Sequence, residues 1–406
     1  MPASAIEERT PAAADADPGA DPGFGIYVHW PFCLSKCPYC DFNSHVAEAI
    51  DQGRWRRALL AELDFFRAPT AARRVTSVFF GGGTPSLMAP ETAAAVIDAV
   101  RRGWPVADDL EITLEANPSS VEAGRFRALG DAGVNRLSLG VQSFDDAALK
   151  FLGRGHSAAD ARKAIRSAAD AFGRYSFDLI YALPGQTADD WKRQLAEALP
   201  LAGTHLSCYQ LTIEPGTPFH RDRVEAAGED AGAGLFETTR DRLAVAGLPA
   251  YEVSNHAAPG QECRHNLYIW RGADFLGVGP GAHGRLSGDG GKAEAHHRIH
   301  APERWLARVE AQGHGTAKTT ALPPEARAEE LVMTGLRLAE GISRRRFRAR
   351  AGRDLESALD PDGLGQMIAG GFVEADDESI RVTARGRLVL NAVLGRLLAR
   401  DGDAGP

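Results

Sequence analysis

From position 25 onward, short runs of β-branched and aromatic residues alternate with longer amphipathic segments, in which apolar residues recur every three or four positions. The short runs predict strands at 25–30, 76–80, 110–115, 135–139, 176–181 and 205–211. The longer segments predict helices, among them 54–66, 91–102, 121–132, 158–171 and 188–201. Strands that alternate with helices form a parallel sheet, and right-handed crossovers curl such a sheet into a whole or partial barrel. We therefore expect an α/β fold with ligands at the carboxyl ends of the strands.

The remaining chain divides into tails, a connection and a second domain. Residues 1–22 contain little beyond Ala, Pro, Asp and Glu and predict a disordered tail, and residues 401–406 are expected to form a short C-terminal tail. The barrel is expected over 23–290, followed by a connecting segment over 291–325. Leu- and Arg-rich helices and two short strands over 326–400 predict a small helical, winged-helix-like domain. Its basic run, 344–350, could bind an anion, but a solvated helix face is the commoner explanation.

Composition and charge narrow the class of protein. The chain has 406 residues, of which 44% are hydrophobic and 25% charged, enough for two globular cores. A net charge of −8 argues against nucleic acid as the principal partner. The chain has no uninterrupted apolar run of about 18 residues and no secretory signal pattern, so we expect no transmembrane segment. The expected location is cytoplasmic.

Three of the five cysteines lie within eight positions, directly after the first strand. Cys33, Cys37 and Cys40 have the spacing C-x3-C-x2-C. Three thiolates on one loop can hold three irons of a 4Fe-4S cube and leave the fourth iron open. The zinc alternative needs a fourth ligand, for which only Asp41 and His45 are nearby. The spacing and the position at a strand end favour the cluster, and the two isolated cysteines are expected to be buried, inert thiols.

Polar residues and glycines follow consecutive strands of the predicted barrel. Each of these residues alone is more often a cap or a surface residue, but a series at consecutive strand ends indicates one shared ligand site. Glycines in the turn after the second strand permit close approach and would leave amide and carbonyl groups free for a ligand. The series comprises Gly82, Gly83 and Thr84 after the second strand, Glu115 after the third, Gln142 and Arg154 after the fourth, and Asp178 after the fifth.

The cysteine spacing and this strand-end series together resemble those of the radical S-adenosylmethionine (SAM) superfamily. The resemblance implies that SAM chelates the open iron through its amino and carboxylate groups, and that the reduced cluster can cleave SAM to a 5′-deoxyadenosyl radical. It also implies which positions contact SAM, namely Tyr27, Gly82, Gly83, Thr84, Glu115, Gln142, Arg154 and Asp178.

Further motifs narrow the resemblance to one group of that superfamily. LPGQT at 183–187, YEVSN at 251–255 and GVGPGAH at 277–283 are similar to the group that contains oxygen-independent coproporphyrinogen III dehydrogenase and its heme-chaperone paralogue. The dehydrogenase branch has a fourth cysteine where this chain has Phe42, and an ordered N-terminal segment where this chain has the low-complexity tail. Both departures favour the chaperone branch. The alternatives are anaerobic decarboxylation of coproporphyrinogen III and a cluster that only stabilises the fold.

The chaperone branch carries a His-Asn-x-x-Tyr-Trp signature associated with heme. Here His265 and Trp270 match, but the tyrosine, Tyr268, falls one position early. The resemblance implies that His265 ligates heme iron and that Trp270 packs on the macrocycle, whereas residue chemistry alone predicts a hydrogen-bonded histidine at the barrel end. The implied partners are heme, a heme-acceptor protein and an electron donor. Peripheral association with a membrane-bound acceptor is compatible with this set.

Overall fold

The computed structural model describes residues 23–288 and 292–398, so the predicted tails 1–22 and 401–406 lie outside the described residues. The described strands are β1 (Phe24–Trp30), β2 (Phe32–Cys33), β3 (His45–Val46), β4 (Val75–Gly82), β5 (Val106–Ala116), β6 (Arg136–Gln142), β7 (Arg174–Tyr181), β8 (His205–Gln210), β9 (Asn255–Ala257), β10 (Asp274–Val278), β11 (His283–Ser287), β12 (Ala293–Arg298), β13 (Thr316–Leu322), β14 (Ile342–Ser343), β15 (Val373–Ala375) and β16 (Ser379–Val382). The described helices are α1 (Gln52–Thr70), α2 (Pro90–Gly103), α3 (Ser120–Ala123), α4 (Phe126–Asp131), α5 (Asp146–Phe151), α6 (Ala158–Ala171), α7 (Ala188–Ala198), α8 (Pro218–Arg221), α9 (Glu229–Val245), α10 (Arg264–Trp270), α11 (Pro302–Gln312), α12 (Pro324–Gly335), α13 (Arg344–Ala351), α14 (Pro361–Ala369), α15 (Ala384–Arg387) and α16 (Leu390–Leu398).

The main sheet has eleven strands in the order β13-β12-β11-β10-β1-β4-β5-β6-β7-β8-β9. Strands β1 and β4 to β8 are parallel and follow chain order, and β10 pairs in parallel with the other side of β1. Strands β9 and β11 to β13 extend the two edges in antiparallel pairing. Because the edge strands β9 and β13 do not pair with each other in the described part of the chain, the barrel is open. The α/β fold with a partial barrel is thus confirmed, and all six predicted strands form.

Alternation along the parallel strands separates an apolar outer face from a polar inner face. In β1, Ile26, Val28 and Trp30 are fully buried beneath the outer helices, and each such side chain contributes about 1.5–3 kcal/mol by leaving water. Trp30 contacts Trp55 of α1 with 6.0 Å between ring centroids. The inner face instead carries hydrogen-bonding and charged side chains, so the interior of the partial barrel is suited to a polar ligand.

Two segments differ from the sequence expectation. The predicted helix 121–132 is divided into α3 and α4. Residues 291–325, expected only to connect two domains, contain β12 and β13 of the main sheet and α11, which packs on α1. Small and polar residues such as the TAKTTAL of β13 leave that edge strand mostly exposed, so its hydrophobic pattern is weak. The domain boundaries themselves stay a prediction.

The C-terminal part has its own core and a three-stranded sheet in the order β14-β16-β15. Helices α12 to α16 surround this sheet, which confirms the expected small helical, winged-helix-like domain. In the basic run on α13, Arg344 lies 2.9 Å from Glu356 and Arg346 lies 3.0 Å from Glu340. These arginines are therefore neutralised by carboxylates of their own domain. Among the described residues, no helix is long and apolar enough to span a bilayer.

A buried carboxylate fastens α1 to the antiparallel extension of the sheet. Glu62 accepts hydrogen bonds from the backbone N–H groups of Gly279 at 2.8 Å and Gly315 at 2.6 Å, and from the indole of Trp305 at 3.2 Å. The guanidinium of Arg298, itself fully buried, lies 3.6 Å away. Burial raises the pKa of Glu62, and the nearby Arg298 opposes that rise. The carboxylate thus joins three separate segments at one point.

We expect Glu62→Ala to destabilise the protein by about 3–5 kcal/mol, because the substitution leaves Arg298 buried without its countercharge. Urea unfolding under anaerobic conditions measures the change. Glu237→Ala, at an exposed position of α9, is the control and should change stability by less than about 0.5 kcal/mol. A similarly small loss in Glu62→Ala would show that the buried pair does not fasten the extension.

Candidate cluster and cofactor site

The three clustered cysteines lie on the loop between β2 and β3, which pair in parallel and place Cys33 opposite Val46. All three thiols are free and half-buried. Asn43, later on the same loop, donates from its side chain to the carbonyl oxygens of Pro280 and His300, each at 2.9 Å. The loop is therefore attached both to the first strand and to the segments flanking β11 and β12.

A chain of polar side chains connects two of the cysteines across the carboxyl ends of the strands. The hydroxyl of Thr84 donates to the sulfur of Cys33 at 3.3 Å and accepts from the amide of Asn117 at 3.0 Å. The guanidinium of Arg154 donates to the other end of Asn117 at 2.6 Å and to the sulfur of Cys37 at 3.3 Å. Hydrogen bonds from cationic and hydroxyl donors stabilise thiolates, which are the ligands of iron-sulfur clusters.

The donor set fits a cluster in which each thiolate binds a separate iron. In residues 23–288 and 292–398, no three His, Cys, Asp or Glu side chains are arranged to hold one metal ion. The remaining cysteines, Cys208 and Cys263, are buried, and burial raises the pKa of both thiols, that of Cys263 to about 12. They match the expected inert thiols.

The glycine-rich turn after β4 is close-packed rather than open. The N–H of Gly82 donates to Glu115 at 3.3 Å, and the N–H of Gly83 donates to the carbonyl oxygen of Trp30 at 2.7 Å. A Cβ at Gly83 would lie 2.6 Å from the carbonyl oxygen of Phe32. The expectation of free amide groups in this turn is therefore wrong for these two N–H groups, because Gly82 donates to a carboxylate and Gly83 extends the pairing with the backbone of β1. Glycine is needed at position 83 for packing between segments.

Unpaired polar atoms lie at the mouth of the barrel, which is the end that carries the cysteine loop. The side-chain oxygen of Gln142 and the Nε of Arg154 are buried without a hydrogen-bond partner among the described residues. Gln142 also adopts a left-handed backbone with φ of 69°. Buried polar groups without partners cost about 1–3 kcal/mol each, so such atoms commonly mark a position where a ligand supplies the partner.

Two acids of the inner face resist ionisation. Burial, and then the charge of Asp178, raises the pKa of Glu115 to about 8, against the hydrogen bond from Gly82. Burial also raises the pKa of Asp178 to about 6, although Ser207 and Arg136 oppose the rise. A cationic ammonium group or sugar hydroxyls placed between them would lower both costs. This chemistry matches the polar end of SAM.

Tyr27 lies on the same inner face, closer to the cluster loop. Its hydroxyl bonds to His29 at 3.0 Å, and the other nitrogen of His29 bonds to the carbonyl oxygen of Asn43 at 2.9 Å. Burial raises the pKa of the Tyr27 phenol and lowers that of His29 to about 4, so both groups are neutral at pH 7. Tyr27 therefore acts through a hydrogen-bonded link to the cysteine loop as well as lining the interior.

The structure separates the two residues assigned to heme. His265 is 4% exposed inside the barrel, bonded to Ser77 at 2.9 Å and stacked on Phe79 at 5.0 Å between centroids. Trp270, on the same helix, instead packs beneath the guanidinium of Arg337 of the C-terminal part, 4.7 Å from the ring centroid. The two side chains point to different parts of the molecule. Five residues of an α-helix make one full turn and more than a third of another, so the two positions lie on different faces of the helix.

Phe42 lies on the cysteine loop with 62% of its surface exposed. Its carbonyl oxygen accepts a hydrogen bond from Lys36 at 3.3 Å. No thiol is available at this position, and an apolar ring faces solvent beside the cluster ligands. The position that distinguishes the chaperone branch from the dehydrogenase branch therefore lies on the outer rim of the loop.

Sequence reasoning missed the residues that orient the site. Asn117 joins Thr84 to Arg154, and Asn43 joins the cysteine loop to the segments around β11. Asn117 stands two positions after Glu115 in the strand-end series, so its place in that series was a usable signal. Asn43 gave no such signal, because its partners are more than 200 positions away along the chain.

Comparisons with known proteins agree with this geometry. Residues 27–197 match the family model of the radical SAM superfamily, and residues 322–389 match the HemN C-terminal domain. A mouse protein named radical S-adenosyl methionine domain-containing protein 1, mitochondrial, is 39% identical over 93% of this chain and 88% of its own length. The Escherichia coli heme chaperone HemW is 37% identical over 93% of this chain and 99% of its own length. The structure of E. coli coproporphyrinogen III oxidase, HemN, has a TM-score of 0.78 at 22% identity, covering 94% of this chain and 92% of that one.

The open barrel with a three-cysteine loop at its mouth defines a radical SAM protein, a class that implies a 4Fe-4S cluster and SAM. Within that class, the chain belongs to the family of radical SAM proteins that contains HemW. The likeness to HemN supports the fold alone.

Cluster assembly should require each of Cys33, Cys37 and Cys40, because each thiolate holds a separate iron. After anaerobic reconstitution, alanine at any one of these positions should lower bound iron and sulfide to about a tenth of the wild-type content or less. Cys208→Ala, at a buried position away from the loop, is the matched control and should retain both. Full iron and sulfide in Cys40→Ala would refute the ligand assignment.

Glu115→Gln should stabilise the SAM-free protein and weaken SAM binding. Because folding raises the pKa of Glu115 to about 8, the folded state holds more protons than the unfolded state above about pH 4.5, and stability falls as pH rises through this window. Removing the acid should therefore add about 2 kcal/mol or more at pH 8 and almost nothing at pH 4.5.

Urea unfolding at the two pH values, beside a SAM titration of the cluster-loaded protein, tests this expectation. The exposed Glu225→Gln is the control. A variant that gains no stability at pH 8, or binds SAM at wild-type affinity, would remove Glu115 from the site.

Proposed function

We propose that this protein is a heme chaperone that binds heme, carries a 4Fe-4S cluster with SAM, and transfers heme to an acceptor protein. The observation that carries the proposal is similarity over nearly the full length to several proteins named heme chaperone HemW, at 32–37% identity. Phe42 adds support, since it stands where the dehydrogenase branch has a fourth cysteine.

Cys33, Cys37 and Cys40 would hold the cluster, and the strand-end residues would hold SAM. Bound together, cluster and SAM would supply one-electron reductive chemistry at the mouth of the barrel. The chain's own contribution is positional: Thr84 and Arg154 donate to cysteine sulfurs. Glu115, Gln142 and Asp178 would offer acceptors to the amino and ribose groups of SAM, and the small Gly82 and Gly83 keep the turn after β4 narrow, with Tyr27 beside it.

The proposed heme ligand is His265, with conditions that the packing imposes. Ser77 bonds to its Nδ1, which leaves Nε2 as the nitrogen available to iron. Desolvation lowers the pKa of His265 to about 4, so the imidazole is neutral and competent as a ligand. The stack with Phe79 must open to admit a porphyrin. For Trp270 to pack on the same porphyrin, the helix α10 that carries both residues would have to move.

The proposed partners are an acceptor for heme and an electron donor for the cluster, without nucleic acid. We propose the cytoplasm as the location, with peripheral contact to a membrane where the acceptor is membrane-bound. The mouse relative is named as mitochondrial, so location varies within the family.

The decisive experiment compares heme binding with coproporphyrinogen turnover in the same cluster-loaded preparation. The wild-type protein should bind one heme per chain, followed by its Soret absorption, and should form no protoporphyrinogen from coproporphyrinogen III with SAM and reductant under anaerobic conditions. Efficient protoporphyrinogen formation would establish the dehydrogenase alternative instead, and absence of heme binding would overturn the chaperone proposal.

The ligand assignment is tested by His265→Ala, which should weaken heme binding at least tenfold. Ser77→Ala should weaken it less, because it loosens the ring but keeps the nitrogen donor. His220→Ala on the exposed helix α8 is the control. Undiminished heme binding in His265→Ala would overturn the assignment and leave the chaperone proposal intact.

A further inference from the structure

Two histidines face each other across neighbouring strands of the antiparallel extension. His283 of β11 is directly opposite His297 of β12 in the strand register, with 4.3 Å between ring centroids and 50° between ring planes. The ring centroid of His300, just after β12, lies 6.4 Å from that of His283. Directly opposed side chains on adjacent antiparallel strands have their Cβ atoms about 5 Å apart, a spacing that lets two imidazoles reach one centre.

These imidazoles are available to an external partner. His283 and His300 are exposed and His297 is half-buried. Partial burial, then the charges of His297 and Arg285, lower the pKa of His283, and burial, Arg285 and Lys318 lower that of His297. Both rings are therefore neutral at pH 7, which is the form that binds metal.

The pair lies beside the cysteine loop and outside the proposed SAM contacts. The carbonyl oxygen of His300 and that of Pro280, three residues before His283, accept hydrogen bonds from Asn43 on the cysteine loop. The charges of His300 and His283 also help to lower the pKa of His29, so these two histidines lie near the residue that bonds to the cysteine loop. The pair therefore lies at the mouth of the open barrel, on the side of the sheet where β10 and β11 follow β1.

We propose that His283 and His297 form an imidazole site for a transition-metal centre that retains open coordination positions. Neutral imidazole suits borderline metals such as zinc, nickel, cobalt and iron. The two nitrogen donors leave the remaining positions to water or to a ligand brought with the metal. The metal could arrive as a free divalent ion or as the iron of a porphyrin, and the two sources share the same ligand chemistry.

Binding of a porphyrin iron at this pair rests on the proposed function, whereas binding of a free divalent ion does not. At this edge, one imidazole of the pair would hold the iron of a heme, and the ammonium of Lys318, opposite His297 in the register, would be available to its propionates. A heme bound through His265 would instead lie inside the barrel. The two positions are therefore separable by substitution.

The first arm of the test titrates cluster-loaded, anaerobic protein with Co²⁺. Wild type should show the visible absorption of cobalt bound by nitrogen and oxygen, without thiolate charge transfer. His283→Ala and His297→Ala should each weaken binding at least tenfold, and His300→Ala about twofold. His220→Ala is the matched control and should bind cobalt as wild type does.

The second arm titrates the same variants with hemin, beside His265→Ala. Loss of hemin binding in His283→Ala or His297→Ala with retention in His265→Ala assigns a porphyrin to the pair, and cobalt binding without a hemin effect assigns a free ion. If neither titration changes in His283→Ala and His297→Ala, or in the polar variant His297→Asn, the pair is not a metal site. Failure of wild type to bind hemin would overturn the proposed function alone, because the cobalt arm still decides the site.

Discussion

The polar chain from Cys33 through Thr84, Asn117 and Arg154 to Cys37 determines the geometry of the candidate site. The members come from segments that are far apart along the chain and meet only because parallel strands end at one edge of the sheet. A two-residue slip in the pairing of β4 with β5 would move Asn117 by about 6–7 Å relative to Thr84, beyond hydrogen-bond reach of its hydroxyl. The register of the barrel is therefore a precondition for the cysteine loop.

Without SAM, the residues at the mouth of the barrel lower the stability of the folded protein. Glu115 and Asp178 are held where ionisation is unfavourable, and Gln142 and Arg154 bury polar atoms without partners. A fold selected for stability alone would fill these positions with apolar side chains. A ligand that carries an ammonium, a carboxylate and hydroxyls would repay these costs on binding, which explains why the polar inner face survives beside so apolar an outer face.

The sequence was sufficient for the parallel half of the barrel and insufficient for the antiparallel half. Strands such as β6 alternate large apolar residues with small or polar ones, and the regular spacing of helices between the strands indicated their direction. By contrast, β11 and β12 consist largely of glycine, alanine, histidine and arginine, with little hydrophobic contrast between their faces. Cysteine spacing needed no tertiary information, whereas the bonds of Asn43 and the stacking of His265 depend on contacts between distant segments, which no local pattern encodes.

The antiparallel extension changes how the interior can be reached. Because it leaves the barrel open between β13 and β9, a large planar ligand could enter from the side without passing the cysteine loop. His265 is buried in this interior, while His283 and His297 lie at its mouth. A ligand held only at the buried histidine would be shielded from an acceptor protein, whereas one held at the rim would be accessible to it. Tight holding and ready release therefore demand different positions, and the chain has a buried imidazole, His265, and an exposed one, His283, that differ in this way.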